Sequence, residues 1–256
     1  MRAVDARHYW LEAIFRNDDP GWDVGRYPFN LPVVRALDSI VFHPKVTFFV
    51  GENGSGKSTL IEALAVAWGF NAEGGTKNFS FSNRASHSDL HRFIRPSRGV
   101  RKARDGFFLR AESYFNLGTE IEELDREPSS SPPIINSYGG KSLHEQSHGE
   151  SFFALFEKRF GGSGLYILDE PEAALSPNRQ LTFLNRMHEL IRKDSQFIIA
   201  THSPIILGYP DADIWQVSKH GLERVSYEDT EHVQVTRQFL NNRDVMLDML
   251  LTDTDV

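Results

Sequence analysis

Residues 51–58 read Gly51-Glu52-Asn53-Gly54-Ser55-Gly56-Lys57-Ser58, and they fit the pattern G-x-x-x-x-G-K-[ST]. The flanks agree with it. Val46-Thr47-Phe48-Phe49-Val50, just before, is short, β-branched and aromatic, as a buried parallel strand is. From Lys57 onward, Leu60, Ile61, Leu64 and Trp68 repeat at helical spacing until Gly69 supplies a stop. In a strand, glycine loop and helix of this kind, backbone N–H groups curl round phosphate oxygens at a helix N-terminus. The cradle is assigned to Glu52, Asn53, Gly54, Ser55, Gly56, Lys57, Ser58 and Thr59. Lys57 reaches the β and γ oxygens as a catalytic group, and the Ser58 hydroxyl is a ligand for Mg²⁺.

Two further strand ends supply the complement. The apolar run Gly164-Leu165-Tyr166-Ile167-Leu168 ends at Asp169-Glu170, and Phe197-Ile198-Ile199-Ala200 ends at Thr201-His202-Ser203-Pro204. Between them Ser176 is placed to cap, and Pro177 to open, a helix carrying Leu181, Leu184, Met187 and Leu190 on one face. Strands alternating with helices predict an α/β fold, a mainly parallel sheet flanked by helices. Asp169 is then the second metal ligand. Glu170 follows it directly and is the candidate to orient and polarise an attacking water, and His202 is the candidate to hydrogen-bond the γ-phosphate. Taken singly, an Asp-Glu pair is equally a solvated strand end and a lone histidine equally structural; the phosphate loop beside them favours function.

Composition limits the remaining choices. The 256 residues suit one sizeable domain, or a core carrying an insertion, and 40% are apolar. Without cysteine there is no disulfide, thiolate metal site or thiol nucleophile. Neither a signal peptide nor a transmembrane run is apparent, which predicts a cytoplasmic protein. The phosphate-loop core is expected over residues 1–70 and 138–256, with residues 71–137 as a small helical and basic insertion. Between Arg84 and Arg104 stand Arg84, Arg92, Arg95, Arg98, Arg101, Lys102 and Arg104 against Asp89 alone, and a Ser-Pro linker follows at Glu127-Pro128-Ser129-Ser130-Ser131-Pro132-Pro133. A basic cluster of this sort contacts phosphate backbones or serves as a solvated, partner-facing surface. Within the insertion Phe107 to Glu112 resembles a strand and Thr119 to Leu124 a short helix.

The loop Leu143-His144-Glu145-Gln146-Ser147-His148-Gly149-Glu150-Ser151-Phe152 mixes serines, histidines and carboxylates. A Ser-His-Glu triad is a poor reading, since triads converge from distant segments. In order along the chain stand the phosphate loop, a Ser-x-Gly-Glu loop opening a helix, a strand ending in Asp-Glu-Pro and a strand ending in Thr-His. This order resembles the ATP-binding-cassette ATPases. The resemblance covers about residues 33–70 and 138–217, and it implies that Ser147, Gly149 and Glu150 form the signature loop that reaches the ATP held by a second subunit. Gln146, His148 and Glu150 depart from the usual LSGGQ. Pro171-Glu172-Ala173-Ala174-Leu175-Ser176-Pro177 resembles the stretch found in soluble RecF-like and OLD-like members of the AAA group. The glutamine that usually touches Mg²⁺ has no clear counterpart; Glu112 or Ser113 is the candidate. Tyr27 or Phe29 is the candidate to stack on adenine.

The expectation is a soluble Mg²⁺-dependent ATPase that closes as a head-to-head homodimer on two ATP molecules. It would drive an unidentified protein partner, in nucleic-acid maintenance or defence, with weak nucleic-acid contact through the basic cluster. No heptad series exists from which to build an SMC-type arm. The competing expectations are the ATP-binding subunit of an ABC membrane transporter and a module that holds ATP without turnover.

Overall fold

The computed structural model describes residues 8–76, 88–110, 114–126, 132–138, 140 and 148–252. In chain order the elements are β1 (Trp10–Phe15), α1 (Pro32–Arg35), β2 (Ser39–Val41), β3 (Val46–Val50), α2 (Lys57–Trp68), β4 (Ile94–Arg98), β5 (Asp105–Arg110), α3 (Tyr114–Arg126), α4 (His148–Lys158), β6 (Gly164–Asp169), α5 (Pro177–Arg192), β7 (Gln196–Ala200), α6 (Pro204–Leu207), β8 (Asp213–Ser218), β9 (Gly221–Val225), α7 (Glu231–Asn241) and α8 (Arg243–Leu251). A six-stranded sheet runs β5-β6-β7-β3-β8-β9, parallel except for the antiparallel edge strand β9. Helices cover it, so the expected α/β class holds. Among the described residues no helix is long and apolar enough to cross a membrane.

Both faces of the sheet are buried, and alternation along each strand divides the side chains between two cores. Phe49, Leu165, Ile167, Ile198 and Ala200 join α2 on one face. Val46, Phe48, Val50, Tyr166, Leu168, Phe197 and Ile199 join α4 and α5 on the other. Here α5 departs from expectation. It buries Gln180, Phe183, Met187, Leu190 and Ile191, while Leu181 is 57% exposed. Gln180 is drawn inward because its Nε2 donates to Leu175 O at 3.0 Å and its Oε1 accepts from Ser203 Oγ at 2.6 Å. Ser176 occupies the N-cap without a side-chain capping bond.

Parts of the stretch expected as an insertion belong to the sheets. β5 pairs with β6 in the main sheet, and β4 pairs antiparallel with β1 in a smaller sheet ordered β2-β1-β4. β4 buries Ile94 and exposes Arg95 and Arg98, so a strand, and not a loop, carries part of the basic cluster, with these two arginines on opposite faces. Arg98 lies over the Trp68 ring, 4.5 Å from its centroid. Arg84 and the linker residues 127–131 lie outside the described residues. The predicted helix at Thr119–Leu124 is the middle of the longer α3.

One buried side chain clips the smaller sheet to the main one. Gln196, fully buried at the start of β7, accepts from Tyr9 N (3.1 Å) and Trp10 N (2.9 Å) and donates to Trp10 O (2.9 Å) and His43 O (3.1 Å). All four capacities of its amide go to backbone groups. An apolar replacement strands those partners, and each buried orphan costs about 1–3 kcal/mol. Gln196→Leu is therefore expected to destabilise the fold by about 3 kcal/mol or more, a fall of roughly 6–12 °C in Tm for a domain of this size. Thermal denaturation checks it, and a Tm within about 2 °C of the parent contradicts it.

Candidate functional site

The carboxyl ends of β3, β6 and β7 finish at one edge of the sheet, which is where ligands bind in open α/β sheets. From β3 the chain enters the loop of residues 51–56. A Cβ on Gly51 would stand 2.2 Å from Val217 O, so only glycine lets the loop leave the strand so close to β8. Gly56 holds φ 97°, the left-handed conformation that favours glycine, at the N-cap of α2. Ser55 Oγ is buried with no hydrogen-bond partner among the described residues, a donor left for a ligand.

Lys57 is 4% exposed, and its Nζ donates to Gly51 O (2.8 Å) and Glu52 O (2.9 Å) of its own loop. Burial lowers its pKa from the ordinary lysine value, while Glu170 and Asp169 oppose that shift. The ammonium is thus held over the loop by carbonyls that a phosphate oxygen is able to replace. Ser58 Oγ donates to Asp169 Oδ1 across 3.3 Å. Two hard oxygen atoms therefore converge beside the phosphate cradle. That set fits Mg²⁺, which takes one or two protein ligands and completes its octahedron with water and substrate phosphate. Tyr27, Leu31, Asn53, Gly54, Gly56, Lys57, Ser58, Thr59 and Glu170 line a pocket of about 280 Å³. A larger pocket of about 610 Å³ lies beyond His202, with Pro204, Ile205, Tyr227, Val233 and Leu240 in its wall. Its lining contains no residue of the glycine loop.

Glu170 adopts φ 53° and ψ 53° as the chain leaves β6, a left-handed conformation uncommon for a residue with a side chain. Such backbone strain costs on the order of 1–3 kcal/mol and gathers at functional sites. Its Oε1 lies 3.2 Å from Nε2 of His202. The His202 backbone N–H donates to Glu172 Oε1 at 2.5 Å, and its Nδ1 lies 2.9 Å from Nε2 of His232. Burial lowers the pKa of His202 below the ordinary histidine value; Lys57 pushes the same way and Glu170 opposes.

The structure thus brings Lys57, Ser58, Asp169, Glu170 and His202 together. Glu52, Asn53, Gly54, Ser55, Gly56 and Thr59 form the loop and first turn expected of them. Gly149 and Glu150 fall in the first turn of α4, which opens at His148, and Ser147 lies outside the described residues. Glu112 and Ser113 also lie outside them. The two aromatic candidates separate. Phe29 is fully buried between Trp22 and Phe93, whereas Tyr27 is 58% exposed and its hydroxyl meets Thr59 Oγ1 at 3.0 Å on the rim of the loop pocket.

Two residues near the site, Arg110 and His232, belong to no sequence motif. Arg110, in parallel register with Asp169, has its Nε 3.9 Å from Asp169 Oδ2 and its Nη1 2.7 Å from Glu62 Oε2. The Phe107–Arg110 run pointed to Arg110 once its strand was registered beside β6. His232 is thirty positions beyond His202 on α7, with no motif to mark it.

Two family models match the chain in sequence order. An AAA domain model covers residues 30–130, and residues 152–208 match an AAA domain whose description also carries the words AbiEii toxin and Type IV TA system. Among solved structures, a component of the ABC transporter complex cbiONQ from Clostridium perfringens is 15% identical over 93% of this chain and 97% of that one, with a TM-score of 0.48. The SMC head domain from Thermotoga maritima is 19% identical over 73% and 93%, with a TM-score of 0.39. A dimeric bacterial ABC transporter cassette is 14% identical over 73% and 87%, with a TM-score of 0.43. The phosphate loop between β3 and α2 and the paired AAA-domain matches agree: residues 30–130 and 152–208 are similar to AAA-type P-loop domains.

Glu172 offers a test of this geometry that needs no ligand. Burial raises its pKa above the ordinary glutamate value, the hydrogen bond from His202 N–H opposes that shift, and Oε2 is buried with no partner among the described residues. The unfolded chain ionises first as pH rises, so folded stability is greatest below the ordinary glutamate range and falls until the folded pKa is passed. Glu172→Gln removes this titration. Chemical denaturation at pH 4 through 8 is expected to show the variant gaining on the parent as pH rises; equal pH slopes would contradict the buried-acid account.

Proposed function

We propose that the chain binds and hydrolyses ATP with Mg²⁺ and closes head to head with a second copy around two nucleotides. What carries the reading is that Lys57, Ser58 and Glu170 line the pocket of the glycine loop, with Asp169 accepting from Ser58 and His202 against Glu170. Loop N–H groups and Lys57 bind the β and γ oxygens, and Tyr27, exposed at the rim, is the adenine platform. Ser58 and Asp169 would hold the cation, which when bound neutralises charge on the phosphate oxygens. Glu170 accepts a proton from water as its oxygen attacks the γ-phosphorus, and the β–γ bridging oxygen leaves with the electron pair. His202 holds Glu170 and senses the γ-phosphate. Ser147, Gly149 and Glu150 act on the nucleotide of the second copy, with the α4 N-terminus behind them. Opening and closing are transmitted to a protein partner, in a setting of nucleic-acid maintenance or defence inside the cell; the AbiEii wording of one matching family supports that setting.

The basic face supports a nucleic-acid contact. Arg92, Arg95, Arg101 and Lys102 are exposed, beside the edge strand β4. Such a surface touches phosphates without a base-reading element, so it binds weakly and without sequence preference. This reading favours a soluble ATPase over a transporter subunit.

Two outcomes follow. Glu170→Gln is expected to retain ATP binding and lose about 10²- to 10⁴-fold in turnover, since general-base help is worth that much. Size-exclusion chromatography with ATP and Mg²⁺ should then show a trapped dimer, and Ser147→Arg in the same background should return it to monomer. Turnover at the parent rate, or a trapped dimer that survives Ser147→Arg, contradicts the reading. For the basic face, fluorescence anisotropy with short single- and double-stranded DNA is expected to show binding that weakens steeply with salt and is lost in Arg95→Ala/Lys102→Ala; salt-independent binding, or none at low salt, removes nucleic acid from the account.

A further inference from the structure

The imidazole of His202 is held at both nitrogens. Its Nε2 faces Glu170 Oε1 at 3.2 Å, and its Nδ1 faces Nε2 of His232 at 2.9 Å, with the two ring centroids 5.0 Å apart. A carboxylate only accepts, so the proton of a neutral His202 sits on Nε2, toward Glu170. Its Nδ1 is then a lone pair, and the 2.9 Å contact requires His232 to donate from Nε2. Burial lowers the pKa of both imidazoles, which favours the neutral rings. The remaining nitrogen of His232, Nδ1, is buried without a hydrogen-bond partner among the described residues.

The fold holds this donor in place. His232 stands in the first turn of α7, between Thr230 and Val233, which are 0% and 3% exposed. Thr230 Oγ1 donates to Tyr227 O at 2.8 Å, and Tyr227 OH donates to Pro204 O at 3.1 Å, which ties this end of α7 to the start of α6, two residues beyond His202. With no donor at His232, the alternative tautomer of His202 becomes accessible, and it sets an Nε2 lone pair against the Glu170 carboxylate.

We propose that His232 is a positioning residue of the hydrolytic site: through the Nε2–H···Nδ1 bond it locks His202 in the tautomer whose Nε2–H holds Glu170. The proposal rests on the reading of Glu170 as the base for ATP hydrolysis, but its structural half does not. A partner that orients a functional imidazole is typically worth about 10- to 100-fold in activity.

The test uses the whole chain, with ring nitrogens followed by long-range ¹H–¹⁵N NMR. His202 is expected as the Nε2–H tautomer in the parent and in His232→Gln, whose amide places a donor near the former Nε2. In His232→Phe that tautomer should lose its dominance. Phosphate release by His232→Phe should fall in kcat by about 10- to 100-fold with KM for ATP little changed, recover largely in His232→Gln, and be unaffected by the second change in a His202→Ala background. A proton on Nδ1 of His202 in the parent, an unchanged tautomer in His232→Phe, or parent-level kcat in that variant overturns the proposal. If His232→Phe does not fold, the tautomer in the parent and the activity of His232→Gln still decide. A parent chain that hydrolyses no ATP refutes the proposed function, whereas the NMR result alone judges the His232–His202 lock.

Discussion

Two backbone hydrogen bonds at the carboxyl edge of the main sheet set the level of everything that acts there. Glu170 N–H donates to Ala200 O at 2.9 Å, and Thr201 N–H donates to Phe49 O at 3.0 Å, so the ladder β6-β7-β3 continues one step beyond its strands. The glycine loop, the Asp-Glu pair and the Thr-His pair therefore emerge at matching heights. A slip of one residue in any of these strands would turn Asp169 or the start of the glycine loop to the opposite face. Gly51 carries a similar constraint from the other side, since its approach to Val217 O lets the loop fold over the strand ends.

Charge is concentrated where this edge leads. Lys57 is buried beside Asp169 and Glu170, and Asp169 has Arg110 on its far side, itself paired with Glu62. Burial of an ionised group costs several kcal/mol unless partners compensate, so these groups stabilise one another and fix one another's positions. Glu172 sits just behind with a raised pKa and gives His202 its backbone anchor. The site is consequently a set of mutually dependent charges with Lys57 nearest the loop, an arrangement to which a polyphosphate adds negative charge at the positive end.

Much of this edge was legible in the sequence because its geometry is local. A phosphate loop needs its glycines, lysine and serine at fixed spacing, and an apolar run that ends in Asp-Glu or Thr-His announces its own strand end. Elements that depend on distant partners were not legible. The alternation in β4 is masked by arginines, so a strand of the smaller sheet passed for a basic insertion, and β1 is secured by Gln196 from the far half of the chain. On α5, Leu184, Met187 and Leu190 face the core as their spacing predicts; Leu181 alone does not, and Gln180 beside it turns inward through its hydrogen bonds to Ser203 and Leu175. His232 had no local signal at all: it meets His202 only because α7 packs against α6, just beyond the end of β7.

The account stands on one claim, that this edge of the sheet cleaves ATP with Mg²⁺. Release of inorganic phosphate from ATP by the purified chain, followed with and without Mg²⁺, tests it most directly. The account predicts saturable release that requires Mg²⁺ and disappears in Lys57→Ala. Release that persists without Mg²⁺ or in Lys57→Ala, or a parent chain that releases none, would contradict it.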